Sequence, residues 1–490
     1  MAEPASGARV GRTTKFAYGF GAVAFGVKDL GFAYFLMIFY NQVLGLPASA
    51  AGLALMIALL FDAVSDPIVG YASDNLRSRW GRRHPFMYAA ALPIAVAFFF
   101  LWNPPGGVHA LDSLGQSGLF AYLLGMAILV RILITFYEIP STALVSELTS
   151  DYDERTTLLS YRFFFGYVGS LVLTFVTFSV FLKSTPAHPS GILNPAGYMP
   201  YAIASALVML VTILVSSVGT HSEIPRLRAA PARKFEWRNT LKELGETFAS
   251  RSFLALFVAA LFSMMAQGVQ TSLALYFATF YWELTSEDVR FYQPVQIASA
   301  TAALLIAPII AKRFDKKRAA ILLSVVSLTF GPLPLFLRLL GFFPENDSSW
   351  LLPILLSHQF FESTIFISAS IIISSMVADL VEEGERRTGR RSEGVYFAAR
   401  TFAQKTVTGF GVFVSGIILD LVAFPATAKP GAVDDGVLMR LVLFYAPVFV
   451  LFHAAAALML LGYRISRQSH AQDVFHLEDD VRAPPSGSSS

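Results

Sequence analysis

Apolar residues are gathered into long runs along the chain, and short polar breaks separate one run from the next. About twelve runs are long enough, at roughly 17 to 25 residues each, to cross about 30 Å of hydrocarbon. We expect each run to be an α-helix, because an unpaired backbone group in lipid costs several kcal/mol and a helix pairs its own groups. The predicted spans are 16–40, 48–73, 85–102, 118–147, 158–182, 199–219, 252–281, 292–311, 319–341, 350–380, 394–423 and 438–463.

Composition agrees with this pattern. Of the 490 residues, 55% are hydrophobic and 14% are charged, whereas a soluble domain averages about 25% charged residues. The chain is therefore predicted to be an integral membrane protein. It contains no cysteine, which excludes a disulfide framework, a thiolate metal site and a cysteine nucleophile. The net charge of +3 is small, so we expect no nucleic-acid partner.

Basic residues predict the orientation in the bilayer. They are concentrated in alternate breaks, and the intervening breaks carry almost none. By the positive-inside rule, both termini are then cytoplasmic, and we expect a multi-pass protein of a bacterial inner membrane. The basic segments are 9–15, 77–85, 221–238, 311–318, 384–391 and 464–468.

The two halves of the chain resemble each other. The basic loop RSRWGRRHP after the second predicted helix has a counterpart, KRFDKKR, after the eighth, as expected for a duplicated six-helix unit. The predicted fold class is an all-α membrane protein with two six-helix bundles, an organisation that resembles the major facilitator superfamily. The predicted parts are an N-terminal segment 1–15, bundles 16–220 and 251–464, a linker 221–250 and a disordered tail 465–490.

Ionisable residues inside the predicted spans are few, and each is a functional candidate because burying a charge in a bilayer costs at least a few kcal/mol. No role follows from the sequence for Glu362 or Arg400. The full set is Lys28, Asp29, Asp62, Asp66, Arg131, Glu138, Arg162, Glu362, Arg400 and Lys405.

Asp62 and Asp66 lie in the stretch FDAVSDP and are four residues apart, so on a helix they share one face. Two carboxylates that close together repel unless a cation lies beside them or one of them is protonated. The pattern predicts a cation or proton site, and Pro67 would free a backbone carbonyl there as a further ligand. The alternative is a structural role, in which Asp62 caps a break at Pro67 or the aspartates only pair with Lys28 or Lys405 to hold helices together.

Arg131, Thr135 and Glu138 form one stripe on the fourth predicted helix. Thr135 would add a neutral oxygen to the cation site, and Glu138 would accept hydrogen bonds from a polar substrate. Arg131 is either a coupling residue or a neutraliser of the charge on Glu138.

An enzyme is not predicted. Intramembrane aspartyl proteases carry their two acids on different helices, whereas Asp62 and Asp66 share one helix, and the chain has no HExxH zinc signature. We expect no cofactor other than a coupling ion, Na⁺ or H⁺.

Five segments in order carry a specific resemblance: KDLGFAY, FDAVSDP, SDNLRSRWGRRHPF, IPSTALVSELTSDYDERTTLLSYR and EGVYFAARTFAQK. They resemble the glycoside–pentoside–hexuronide:cation symporters, the family of the melibiose permease, over essentially all twelve helices. The resemblance implies a monovalent cation site at Asp62, Asp66 and Thr135, with Ser65 at a neighbouring position. It implies a substrate site at Asp29, Glu138 and Arg162, to which Lys28 and Thr142 are added, and a coupling role for Lys405.

One position departs from the family pattern. Thr142 stands where the melibiose permease has a tryptophan that stacks on the sugar ring, and sugar rings favour an aromatic platform. The aromatic residues that would substitute for it are Tyr34, Tyr137, Tyr161, Tyr276 and Trp282. The same motifs also resemble the vertebrate sodium-dependent lysophosphatidylcholine transporter.

The resemblance and the buried charges together predict a monomeric secondary transporter that works by alternating access. We expect symport of a sugar or glycoside-type small molecule with Na⁺ or H⁺. The alternatives left open are a Na⁺-coupled lysophospholipid transporter and a proton-coupled exporter of a small amphiphile. The charged residues predicted to close the cytoplasmic side are Asp74, Arg82, Asp153 and Arg155.

Overall fold

The computed structural model describes residues 10–149, 151–186, 188–226, 251–388 and 393–463. Long helices fill these ranges, and the described residues contain no strand beyond an isolated bridge between Thr185 and His188. In chain order the long helices are α1 (Arg12–Val43), α2 (Ala48–Asn75), α3 (His84–Trp102), α4 (Ala110–Ala143), α5 (Tyr152–Val176), α6 (Tyr198–Gly219), α7 (Arg251–Tyr276), α8 (Tyr292–Phe314), α9 (Lys316–Leu339), α10 (Leu351–Thr388), α11 (Glu393–Leu421) and α12 (Asp435–Leu460).

The predicted all-helical membrane fold is confirmed. Within the described residues, eleven helices are long and apolar enough to cross a membrane. The remaining long helix, α11, has 29 residues and matches the predicted span 394–423. The chain is a multi-pass integral membrane protein. The predicted N-terminal segment up to residue 9, the linker beyond residue 226 and the tail from residue 464 lie outside the described residues.

Polar residues and glycines set the helix ends. The side chain of Asp151 accepts a hydrogen bond of 2.7 Å from the backbone of Glu154 and so caps the start of α5. After α1, Gly45 adopts a positive φ of 81°, a conformation that glycine reaches without a side-chain clash. The chain can therefore reverse direction within five residues and enter α2.

The described residues form two compact units that do not coincide with the two halves of the sequence. Of the described residues, the first unit takes in those up to 226, 268–294 and 408–441, and the second unit takes in those of 251–267, 295–407 and 442–463. The first unit therefore holds all of α1–α6 together with one end each of α7, α8, α11 and α12, while the division into two six-helix bundles stays a prediction.

Close helix packing in the first unit positions the buried charges. α2 packs along α4, and α1 packs along α5 and α6. Gly26 of α1 lies directly against the backbone of Gly166 in α5, where a Cβ atom would collide with the carbonyl oxygen. These contacts bring the charged faces of α1, α2, α4 and α5 into one region.

Candidate functional site

Asp62, one of the two carboxylates predicted to bind a cation, forms an ion pair with an arginine of the neighbouring helix. Asp62 of α2 is 1% exposed and Arg131 of α4 is 5% exposed. Arg131 Nη1 donates to Asp62 Oδ2 at 3.0 Å, and the guanidinium lies 4.5 Å from the ring centre of Phe32. The ion pair described for Arg131 is thus with Asp62 rather than with Glu138.

Thr135 lies between the two carboxylates. Its Oγ1 is 3.2 Å from Asp62 Oδ1, 3.1 Å from Asp66 Oδ1 and 2.9 Å from the carbonyl oxygen of Arg131. A hydroxyl has one proton, so it can donate to only one of these three acceptors at a time. The remaining close oxygen contacts are favourable when a cation lies among them or when one carboxyl is protonated.

The spacing of these oxygens fits a small cation. Two oxygen ligands at right angles around a hard cation, each about 2.4 Å from it, lie about 3.4 Å apart. The distances from Thr135 Oγ1 to the two carboxylates, 3.1 and 3.2 Å, are close to that value. The structure thus brings Asp62, Asp66 and Thr135 together. Ser65 is adjacent, but its hydroxyl donates to the carbonyl oxygen of Asp62 at 3.1 Å.

A second charged cluster joins α1 to α4. Lys28 is buried, and its Nζ lies 2.6 Å from Asp29 Oδ1 and 3.8 Å from Glu138 Oε2. Asp29 is exposed and Glu138 is half-buried. Lys28 therefore balances both acids while the oxygens of Asp29 remain accessible to a ligand.

Arg162 of α5 forms a third part of the site. Its guanidinium donates to Ser141 Oγ at 3.2 Å and to Thr142 Oγ1 at 2.7 Å. The same guanidinium lies over two aromatic rings, 5.2 Å from the centre of Tyr18 and 5.1 Å from that of Phe25. Thr142 is exposed. The position that lacks the expected tryptophan is therefore accessible, and it lies next to the positively charged guanidinium of Arg162.

The five predicted substitutes for the tryptophan differ in exposure. Tyr137, Tyr276 and Trp282 are buried among other side chains, and a buried ring offers no face to a solute. Tyr34 is half-buried and Tyr161 is exposed. Only these last two of the five have the accessibility that stacking would require.

Three further charged candidates belong to the second compact unit. Lys405 is half-buried in α11, and Glu362 is buried in α10. The side chain of Arg400 lies outside the described part of the chain. The coupling role of Lys405 therefore stays a prediction.

Ionic contacts join the helix ends at the basic end of the first unit. Arg82 donates to Glu147 Oε1 at 2.9 Å, Arg83 also contacts Glu147, and Arg83 Nη2 lies 3.0 Å from Asp74 Oδ1. Glu147 is buried. Of the residues predicted to close the cytoplasmic side, Asp74 and Arg82 thus belong to this network. Its central residue, Glu147, and Arg83 were not predicted from the sequence.

The other two predicted closing residues lie at the start of α5. Arg155 Nη2 donates to the carbonyl oxygen of Thr149 at 3.2 Å, and Asp153 is exposed. The ion pair at this position is made by Glu154, whose Oε1 lies 2.8 Å from Lys15 Nζ and accepts from the backbone of Val10 at 2.8 Å.

The second unit contains a counterpart of the Glu147 network. Lys316, at the start of α9, lies 2.7 Å from Asp379 of α10. Lys316 follows Arg83 by 233 positions and Asp379 follows Glu147 by 232 positions. Equivalent charges at nearly the same offset support the internal repeat inferred from the loops.

Uncharged polar residues close the opposite end of the first unit. Tyr276 Oη donates to Asn41 Oδ1 at 2.7 Å, and Gln42 Nε2 donates to the same oxygen at 2.7 Å. Gln42 also donates to the carbonyl oxygen of Pro425 at 3.1 Å and accepts from the backbone of Ala428 at 2.9 Å. We call Asn41, Gln42, Tyr276, Pro425 and Ala428 the Asn41 layer. It ties the end of α1 to α7 and to the loop after α11.

Two contacts extend this closure. Ser184, after α5, donates its hydroxyl to Glu287 Oε2 at 2.6 Å, and the backbone of Ser49 donates to Asp420 Oδ2 at 3.2 Å. Segments from both halves of the sequence are thus joined at this end. Among the residues that the structure describes, no group of three or more His, Cys, Asp or Glu residues could hold a metal ion.

Sequence comparisons relate the chain to membrane symporters. A family model described as MFS/sugar transport protein matches residues 17–467. An uncharacterized symporter of Synechocystis is 25% identical, with 96% of this chain and 97% of that protein covered. The isoprimeverose transporter of Lactiplantibacillus pentosus is 24% identical, with 94% of this chain and 92% of the transporter covered.

Solved structures show the same fold. A D-xylose–proton symporter matches with a TM-score of 0.64 at 16% identity, over 93% of this chain and 98% of that one. The inward open conformation of the xylose transporter XylE from E. coli matches with a TM-score of 0.61 at 14% identity, over 94% of this chain and 98% of that one. The long helices described above therefore follow the major facilitator fold.

Proposed function

The chain belongs to the MFS/sugar transport protein family, and on this premise we propose that it couples the movement of a monovalent cation to the symport of a sugar or glycoside-type solute. The relatives at 25% and 24% identity are an uncharacterized symporter and an isoprimeverose transporter. The coupling ion is Na⁺ or H⁺.

The observation that carries the cation half of the proposal is the position of Thr135. One hydroxyl lies within 3.2 Å of an oxygen of each carboxylate, and a cation among these oxygens would relieve their mutual repulsion. Asp62, Asp66 and Thr135 are the proposed ligands. Ser65 is assigned a supporting role through its hydrogen bond to the backbone of Asp62.

The solute half of the proposal rests on Asp29, Lys28, Glu138, Arg162 and Thr142. They offer carboxylate acceptors together with charged and hydroxyl donors, and sugar hydroxyls both donate and accept hydrogen bonds. Asp29 and Thr142 are the exposed members, so they are the proposed first contacts of the solute.

Coupling follows because both clusters share α4. Thr135 and Glu138 are three residues apart on this helix, so a cation that orders the first also positions the second. We further propose that transport alternates between closure at the Asn41 layer and closure at the Glu147 network, as expected for rocking around a central site. Lys405 is proposed to link the cation and the solute.

Uptake into proteoliposomes tests the proposal. The full-length protein would be given a panel of pentosides, glycosides, uronides and lysophospholipids under an imposed inward Na⁺ gradient, an inward H⁺ gradient, or neither. We expect at least one sugar-type solute to accumulate only when a cation gradient is present. Accumulation of lysophospholipid alone would reject the sugar assignment, and uptake that ignores both gradients would reject coupling.

A further inference from the structure

Four helices of the second compact unit enclose a small polar pocket. It lies between α7, α9, α10 and α12, inside the parts of these helices that are apolar enough to cross a membrane. We call it the Ser–His pocket after its polar lining residues, which are Ser263, Ser324, Ser327, Ser370 and His453. Polar groups at such a depth have no bulk water to bond, so their partners must lie within the protein or within the pocket.

His453 leaves one ring nitrogen to the pocket. The side chain is 5% exposed, and its Nδ1 lies 3.1 Å from the carbonyl oxygen of Phe449. A carbonyl oxygen only accepts, so Nδ1 carries the proton, and in the neutral ring Nε2 is then an acceptor. The ring also packs on that of Phe449, with 4.2 Å between the centres. Within the described part of the chain Nε2 makes no hydrogen bond.

The serine hydroxyls are also short of partners. Ser324 donates to the carbonyl oxygen of Ala320 at 2.8 Å, so only its lone pairs remain available. The hydroxyls of Ser263, Ser327 and Ser370 form no hydrogen bond with any residue that the structure describes. Buried polar side chains nearly always bond to protein or to ordered water. Several such groups around one space therefore point to a bound molecule that donates and accepts hydrogen bonds.

We propose that the Ser–His pocket is a binding site for ordered water. Its free volume is about 30 Å³, and since one water molecule needs at least roughly 10–15 Å³ of such space, about two fit. A water molecule can donate to Nε2 of His453 and exchange hydrogen bonds with the serine hydroxyls. No Asp, Glu, Lys or Arg lines the pocket, so it offers no charge to balance an ion.

The bound water joins four helices inside the second unit. Through it, the serines of α7, α9 and α10 and the imidazole of α12 are linked by hydrogen bonds that they do not make with one another directly. The pocket shares no residue with the charged clusters of the first unit. The inference therefore stands or falls independently of the proposed cation and solute sites.

Radiolytic oxidation of the purified full-length protein tests the inference. A short X-ray pulse forms hydroxyl radicals from water, and a radical formed on a bound water oxidises the side chains in contact with it. Met264 lines the pocket, whereas Met376 is 0% exposed in an apolar cluster of the same unit. We expect oxidation of Met264 and none of Met376, as measured by mass spectrometry. A membrane-impermeant radical scavenger, at a dose that protects free methionine in the solution, should not prevent it.

Two double variants of matched shape identify the groups that hold the water. Ser327→Val/His453→Leu removes a hydroxyl and the imidazole acceptor, and it should reduce the oxidation of Met264 to the level of Met376. Ser327→Thr/His453→Gln has nearly the same size but keeps a hydroxyl and an acceptor, so its oxidation of Met264 should resemble that of wild type.

Three outcomes would overturn the inference. The first is oxidation of Met264 in wild type that is no greater than that of Met376, or that the scavenger abolishes; this comparison needs no variant to fold. The second is equal oxidation of Met264 in wild type and in the apolar double variant. The third is an equal loss in both double variants, since polarity would then not be what retains the water.

Discussion

Opening of the Asn41 layer can be measured directly, and Tyr276→Phe is the mildest substitution that weakens the layer. The Tyr276 hydroxyl donates to Asn41 Oδ1 at 2.7 Å, and the side chain is 0% exposed. Phenylalanine keeps the ring and its contacts with Phe280 and Phe424, whose centres lie 6.2 and 5.8 Å away. The substitution therefore removes one hydrogen bond and little else.

We expect Tyr276→Phe to cause only a small loss of stability in the closed Asn41 layer. Asn41 Oδ1 still accepts from Gln42 at 2.7 Å after the substitution, so no buried acceptor is left without a donor. The loss is then the net value of one buried hydrogen bond, about 0.5–1.5 kcal/mol. If that bond is broken when the layer opens, the open state becomes about 2- to 13-fold more populated.

A single introduced cysteine reports this opening, because the natural chain has no cysteine to compete for label. Leu46 is 0% exposed, and its carbonyl oxygen accepts from Asn41 Nδ2 at 2.8 Å. In a Leu46→Cys background, the rate of labelling by a membrane-impermeant maleimide would follow the population of the open state. We expect Tyr276→Phe to raise that rate by the same factor.

Tyr40→Phe is the matched control. Its hydroxyl also makes one buried hydrogen bond, 2.8 Å to the carbonyl oxygen of Leu101, but that bond joins α1 to α3 and does not reach α7. It should leave the labelling of Leu46→Cys unchanged. Equal labelling of all three proteins, or an increase as large for Tyr40→Phe as for Tyr276→Phe, would refute the assignment of the layer as a closure.

Three further substitutions test other parts of the site. Thr135→Val should raise the half-saturating cation concentration for uptake about tenfold or more, because it removes a hydrogen bond to charged groups. Thr135→Ser, which keeps the hydroxyl, should not, and equal values for both variants would contradict the role of Thr135 in the cation site. Glu147→Gln should lower the free energy of unfolding by about 3 kcal/mol, because it leaves Arg82 and Arg83 without their shared carboxylate; unchanged thermal unfolding would exclude this. Arg162→Lys should raise the KM for solute without altering Na⁺-dependent stability, and a change in the latter alone would reassign Arg162.

The helices themselves were predictable from the sequence, but their ends were less so. The apolar run predicted for the fifth helix began at residue 158, whereas α5 begins at Tyr152. Hydropathy reports which residues can contact lipid, while a helix continues as long as its backbone hydrogen bonds are satisfied. Polar turns at the membrane surface extend helices without adding apolar residues.

Site residues on one helix were predictable from their spacing. Asp62 with Asp66, and Arg131 with Thr135 and Glu138, share faces as expected from the helical repeat. Which residue pairs with which across helices was not predictable. The sequence left Glu138 as a partner for Arg131, but packing of α2 on α4 brings the guanidinium to Asp62.

Asn41 and Gln42 of the Asn41 layer escaped prediction. Asn41 and Gln42 have no spacing or charge that distinguishes them, and their role depends on partners in α7 and after α11. Their partners are more than 200 positions away in sequence, so no local pattern records the contact. Buried Asn and Gln near a helix end were the only available signal, since such groups require hydrogen-bond partners.

Solute-induced cation movement is the most direct test of the central claim, which is that Asp62, Asp66 and Thr135 bind the ion that drives transport. Proteoliposomes would carry the wild type or Asp66→Asn, and transient currents would be recorded on adding the solute identified by the uptake panel. We predict an inward positive current for wild type and none for Asp66→Asn. Solute uptake by wild type without any cation movement, or an undiminished current in the variant, would contradict the claim.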